Sequence, residues 1–231
     1  MSTPAFITRY RERFTRTWTD NVPIERVRFV VLDSETTGLN PATDRLVTIG
    51  AVAVRANEIR LDDAFAALLK LEHNTDAVTV HGVTRDQSRA GMNEPEALER
   101  FLDYLGDGII VGHHIGHDVA TFDAAYMRHW DLQLRNRSLD TMDLTLHLER
   151  AGAFAGRPPI RRFTLDALCQ MFGVIPHDRH TAAGDAFLTA QVFLRLLRLA
   201  PRFGRGTLGQ LCESFEAAEA TPPHSERHAA E

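Results

Sequence analysis

An α/β domain built on a mixed sheet is predicted by the order of the periodic segments: three strand-like runs come first, and strands then alternate with helices. The first three runs, at 27–33, 46–55 and about 63–71, are separated by polar or turn-rich stretches, the pattern of an antiparallel meander. Ile109 to Gly112 is a short apolar run bounded by glycines, which suits a buried strand, and a fifth candidate spans 138–141.

The helices follow from spacing and caps. Ahead of the sheet, residues 4–20 read as a basic amphipathic helix, with Phe6, Tyr10, Phe14 and Trp18 four apart and Arg9, Arg11, Arg13 and Arg16 on its flanks. Such a helix could touch nucleic acid or a partner, but packing its aromatic stripe on the domain is the expected role, and Pro23 ends the helix. His81-Gly82-Val83-Thr84 leads into a helix capped by Thr84, with Gln87 completing a capping box. Further helices are expected at 94–105, from Val119 to about Trp130, and from the Thr164 cap to about Met171, where Gly173 stops it. The last helix, Ala182 to about Leu199, shows an apolar face of Phe187, Leu188, Val192, Leu194 and Leu197.

The chain divides on this basis into an accessory helix (1–26), a main domain (27–200) and a C-terminal extension (201–231). The extension is expected to be disordered from 213, where Glu, Ala, Ser and Pro replace any apolar period.

At 231 residues, 44% hydrophobic and 25% charged, the chain can bury one sizeable core. No apolar run approaches a membrane span and no signal peptide is visible, so a cytoplasmic protein without a membrane partner is expected. Cys169 and Cys212 are too far apart for a metal knuckle. Residues 213–231 hold five Glu and one Arg, which is −4 of the total charge of −5 and leaves −1 elsewhere. A broad basic surface is thereby disfavoured, but a local basic groove is allowed. Lys70 is the only lysine, and the arginines are scattered, as codon use in a GC-rich genome would scatter them. Arg157, Arg161 and Arg162, around Pro158-Pro159, read as a solvated loop or as phosphate contacts.

The most informative stretch is Asp33-Ser34-Glu35-Thr36-Thr37-Gly38, which follows the apolar run from Val27 to Leu32. Alternate strand residues share a face, so Asp33 and Glu35 can reach one cation or a close pair, while Ser34 points the other way. Asp118 enters just after the fourth strand. His180 and Asp185 stand at the entrance of the last helix, with small residues between them. Asp123 follows Asp118 by five residues, but the strand-end position favours Asp118; Asp140 and Asp143 are read as structural acids or turn caps.

In order and spacing, Asp33, Glu35, Asp118, His180 and Asp185 resemble the DEDDh 3′–5′ exonucleases, the class that includes the proofreading epsilon subunit of bacterial DNA polymerase III and RNase T. The resemblance covers about 27–199 and extends to Ile49-Gly50-Ala51-Val52, His81-Gly82-Val83-Thr84 and Leu165-Asp166-Ala167-Leu168. It implies a ribonuclease H-like five-stranded sheet flanked by helices and release of nucleoside 5′-monophosphates from the 3′ end of single-stranded or frayed DNA, in proofreading or repair. It also implies two magnesium ions, with manganese a competent substitute. Asp33 would bridge the ions, Glu35 and Asp185 would serve the nucleophile side, Asp118 the leaving-group side, and His180 would be the general base. Thr36, Thr37, Gly38 and Leu39 would meet the terminal nucleotide, and Asp76 and His81 would hold its 3′ end.

The chain departs from the family pattern His-Asn-x-x-Phe-Asp, reading His113-His114-Ile115-Gly116-His117-Asp118. Other readings stay open: an RNA-trimming exoribonuclease, a noncatalytic nucleic-acid-binding or polymerase-scaffolding module, and a proofreading subunit with a DNA polymerase partner.

Overall fold

The computed structural model describes residues 3–16, 18–71, 90–156 and 161–213. The helix expected after Thr84, Arg157, and the tail from 214 lie outside the described residues.

The sheet has five strands, β1 (Phe29–Thr36), β2 (Leu46–Arg55), β3 (Glu58–Leu68), β4 (Ile109–Gly112) and β5 (Ser138–Asp140), in the order β3-β2-β1-β4-β5. The meander β1-β2-β3 is antiparallel, and β4 and β5 join parallel to β1, which makes the mixed sheet of a ribonuclease H-like fold. Helix α1 is Ala5–Arg13, α2 Glu94–Leu105, α3 Gly116–Trp130, α4 Thr141–Arg150, α5 Leu165–Phe172, α6 Ala182–Leu199 and α7 Leu208–Leu211.

Strand alternation sorts the core into two layers. Phe29 and Val31 of β1, Val52 and Val54 of β2, and Ile109 and Val111 of β4 pack against α4, α5 and α6. Val30, Leu32, Ile49, Ala51 and Ile110 pack on the other face against α1, α2 and α3. The sheet is thus covered on both sides, and β1 outruns β4 at the end that carries Asp33 and Glu35: their pairing stops at Val31 and Val111.

Several boundaries differ from the sequence reading, each for a local reason. β1 runs through Thr36, so Asp33 and Glu35 lie inside the strand, opposite Gly50 and Thr48. β3 starts at Glu58 rather than 63, because Ala56 and Asn57 both take positive φ (51° and 61°) and make a two-residue hairpin turn. The N-terminal helix stops at Arg13, and Phe14–Arg16 form a 3₁₀ turn. Phe6, Ile7 and Tyr10 bury the aromatic stripe beside α2. α4 was not anticipated; Asp140 caps it, accepting from the Met142 N–H at 2.8 Å. The inner face of α6 includes Phe193 and Leu196, while Phe187 and Leu194 are only partly buried. Among the described residues, no helix is long and apolar enough to cross a membrane.

Candidate active site

β1 carries Asp33 and Glu35 on the face turned to α6, and α6 delivers Asp185 from its first turn. Oxygens of these three carboxylates lie within 4.8 Å of one another. The approach depends on a missing side chain. A Cβ at Gly50, the residue opposite Asp33 on β2, would lie 2.3 Å from the Ala182–Ala183 backbone, so only glycine lets the start of α6 sit on the sheet here.

The start of α6 is itself fixed. The Thr181 hydroxyl accepts from the Gly184 N–H at 3.1 Å and donates to the Asp178 carbonyl at 2.7 Å. The backbone N–H of His180 donates to Asp185 Oδ2 at 3.3 Å. His180 has φ of 61° and is exposed.

Asp118 comes from the opposite layer, in the first turn of α3, and is buried. It lies outside the cluster of three. With β4 ended at Gly112, the edge of β1 is open at Ser34, whose hydroxyl donates to Asp118 Oδ1 at 2.6 Å. Ser34 does point away from the Asp33 face, and this is its partner.

The electrostatics are those of crowded, buried acids. Burial, then the carboxylates of Asp118, Asp185 and Glu35, push the Asp33 pKa well above the ordinary carboxylate range, against the pull of Arg179. Burial also raises Asp118 to about 6, although the Ser34 hydrogen bond opposes it. Crowded carboxylates with all-oxygen donors fit magnesium or manganese, so the residues present suit the divalent ions that the fold family implies.

The loop after β1 is a compact unit. Thr36 is buried and donates its hydroxyl to the Gly38 carbonyl at 2.6 Å, which shapes the turn from within. Thr37 donates to Asp44 Oδ1 at 3.1 Å, and the Asn40 N–H donates to Asp44 Oδ2 at 2.7 Å. A Cβ on Gly38 would meet the Asp44 carboxylate at 2.6 Å. Leu39 stands at the outside of this loop, 88% exposed. Asp76 and His81 lie outside the described residues.

The unusual histidines have distinct settings. His114 has φ of 60°, a left-handed conformation that Asn, Asp and His adopt more readily than other side chains, which is why His can replace Asn there. His113 Nδ1 is 3.0 Å from the Thr141 hydroxyl, and burial lowers its pKa to about 4. His117 is half-buried beside Asp118. Asp140 and Asp123 bond to backbone N–H groups, of Ile115 and Met142 and of Leu134 respectively. The sequence reading missed Ser34 as the partner of Asp118, Asp44 as the core of the loop, and Arg179, which pairs with Asp166 and Asp185.

Comparison with known proteins bears on the family and the fold. Residues 30–193 match the RNase T family, described as exonuclease. The DNA polymerase III PolC-type protein of Thermotoga maritima is 31% identical over 207 residues, covering 87% of this chain and 14% of that protein. Its Bacillus subtilis counterpart is 27% identical over 184 residues, covering 78% and 12%. The chain therefore spans about a seventh of the length of these relatives. Among solved structures, Escherichia coli exonuclease I in complex with a dT13 oligonucleotide superposes with a TM-score of 0.66 at 21% identity, over 78% of this chain and 43% of that one. At that identity the likeness speaks to the fold.

Proposed function

This chain belongs to the RNase T exonuclease family, and on that premise we propose that it is a metal-dependent 3′–5′ exonuclease acting on single-stranded or frayed DNA and releasing nucleoside 5′-monophosphates. The observation that carries the reading is the convergence of Asp33, Glu35 and Asp185, with Asp118 on the far side of Asp33. DNA is preferred to RNA because the relatives are named as DNA polymerases and the similar fold was solved with a DNA oligonucleotide. Work beside a polymerase, in proofreading or repair, is a further part of this proposal and rests on the same relatives.

Asp33, Glu35, Asp118 and Asp185 would hold two divalent cations. Such ions stabilise the attacking and leaving oxygens of a phosphodiester in line with one another. The chain does the rest. His180, exposed just before α6, takes a proton from the attacking water as general base. Leu39, Thr37 and the Gly38 backbone offer a terminal base an apolar surface and a fixed loop edge. Asp76 and His81 are proposed to hold the 3′ end. Arg161 and Arg162, both exposed, are free to meet phosphates of the entering strand.

The test is degradation of matched 5′-labelled DNA and RNA oligonucleotides with magnesium, manganese or a chelator. A chelator-sensitive ladder shortening from the 3′ end, abolished in Asp33→Ala and slowed about 100-fold or more in His180→Ala, is expected on DNA. Faster loss of RNA would replace the substrate assignment with RNA trimming. Tight binding without turnover of either polymer would favour a noncatalytic module.

A further inference from the structure

We propose that Asp166 and Arg179 form a positioning pair that sets the carboxylate of Asp185 and the loop bearing His180, a role that rests on the exonuclease reading above. Asp166 belongs to the Leu165-Asp166-Ala167-Leu168 segment and lies in the first turn of α5.

Arg179 lies in the loop between α5 and α6, one residue before His180. Its guanidinium spans two carboxylates. Nε donates to Asp166 Oδ1 at 2.7 Å and Nη2 to Asp166 Oδ2 at 3.3 Å, while Nη1 donates to Asp185 Oδ1. The other oxygen of Asp185 accepts from the His180 N–H at 3.3 Å. Both oxygens of this acid are therefore oriented by consecutive residues of one loop, and that loop is moored to α5 through Asp166.

The backbone explains why mooring is needed. Asp178 and His180, on either side of Arg179, have φ of 52° and 61°, conformations that non-glycine residues hold only when their surroundings impose them. A Cβ on Gly184 would lie 2.0 Å from the Asp178 carbonyl, so the loop folds back tightly on the first turn of α6.

Stability alone does not account for the arrangement. The side chain of Asp166 is 62% exposed, and an ion pair at such a position adds little to folding. Its geometric effect falls on Asp185. Arginine suits the task because its planar fork can engage two carboxylates in fixed directions, which a lysine ammonium cannot do.

The test measures kcat and KM for single-stranded DNA with magnesium in the wild type, Arg179→Ala, Arg179→Lys, Asp166→Ala and the double alanine variant. Hydrogen exchange of the 178–184 amides in chelator is followed alongside. For Arg179→Ala, kcat should fall about 10–100-fold with KM changed about twofold at most. Arg179→Lys should recover only part of that loss. Asp166→Ala should cost roughly 3–10-fold and add nothing in the Arg179→Ala background, since it acts only through Arg179. Exchange in the loop should quicken in each single variant while the melting temperature stays near that of the wild type.

Unchanged kcat in the single variants, full activity in Arg179→Lys, or additive losses in the double variant would overturn the pair. Additivity would mean that Asp166 acts as a helix-terminal charge. A wild type without turnover would instead remove the exonuclease reading itself. If Arg179→Ala does not fold, Asp166→Asn carries the same test from an exposed position.

Discussion

Asp118 shows what a single buried acid contributes. Its raised pKa of about 6 comes chiefly from burial, so the folded protein holds the proton more tightly than the unfolded chain does. Stability from this group is therefore fully present below the unfolded carboxylate range and is lost as pH rises through about 6. In chelator, urea unfolding should show a more stable protein at pH near 5 than near 8 (set by the same linkage). Asp118→Asn should flatten that slope in part and stabilise the protein at the higher pH by on the order of 1–3 kcal/mol. Asp33 shifts in the same sense and keeps the remainder of the slope. An undiminished slope in Asp118→Asn would show that this acid is not held protonated by burial. The position of Asp118 was readable from the sequence as the acid after the fourth strand, and strand parity turned Ser34 away from Asp33. The Ser34 to Asp118 bond was not readable, because it depends on β4 ending before β1 does.

At the level of elements, the site depends on how closely α6 meets β2. Gly50→Ala would drive a methyl into the Ala182–Ala183 backbone, 2.3 Å away, and lift Asp185 from Asp33. We expect a loss of roughly 1–3 kcal/mol in stability and a fall in kcat of about 100-fold; wild-type kinetics in this variant would show that the helix can shift without moving the acid. Asp44→Ala makes a separate demand on the loop after β1. Freed from Asp44, Thr37 and Asn40 lose their shared acceptor, so Leu39 loses its fixed place. KM for DNA should rise several-fold, by about 1 kcal/mol for a lost hydrogen bond, with kcat little changed. A fall in kcat at constant KM would assign Asp44 to the chemistry instead. The apolar period made α6 legible, with expected bounds of Ala182 to about Leu199 against the observed Ala182–Leu199, while its Thr181 cap shows only in the structure. The start of β3 escaped because Ala56-Asn57 lacks the glycine that marks most such turns. α1 was read too long, because the spacing of Phe14 and Trp18 continues past the point where the backbone turns to 3₁₀.

Across the whole molecule, the acids come from elements that the chain visits far apart: β1 in the meander, α3 after the parallel crossover, and α6 at the end of the domain. The order of these motifs made the fold class legible before any contact was known. The two-layer core was less so, since which helix covers which face follows from crossover geometry and not from periodicity. The same dispersion has a thermodynamic consequence. Asp118 sits in the layer of α1, α2 and α3, whereas Asp185 sits in that of α4, α5 and α6, with Asp33 in the strand between them. On the ligand set proposed above, ions would bind only when both layers are docked on the sheet, so metal binding should oppose global unfolding rather than a local opening. With free magnesium or manganese at about 100 times the dissociation constant, linkage predicts roughly 2.7 kcal/mol of added stability. For a chain of this size that corresponds to a rise in melting temperature of about 5–10 °C. Asp33→Ala should lose most of the rise, and calcium, which tolerates similar oxygen ligands, should reproduce part of it without supporting turnover. If metal slowed hydrogen exchange only in the loop around His180 and left the amides of β1, α3 and α6 unchanged, the site would be coupled to its rim alone, and the two layers would not need to close together to form it.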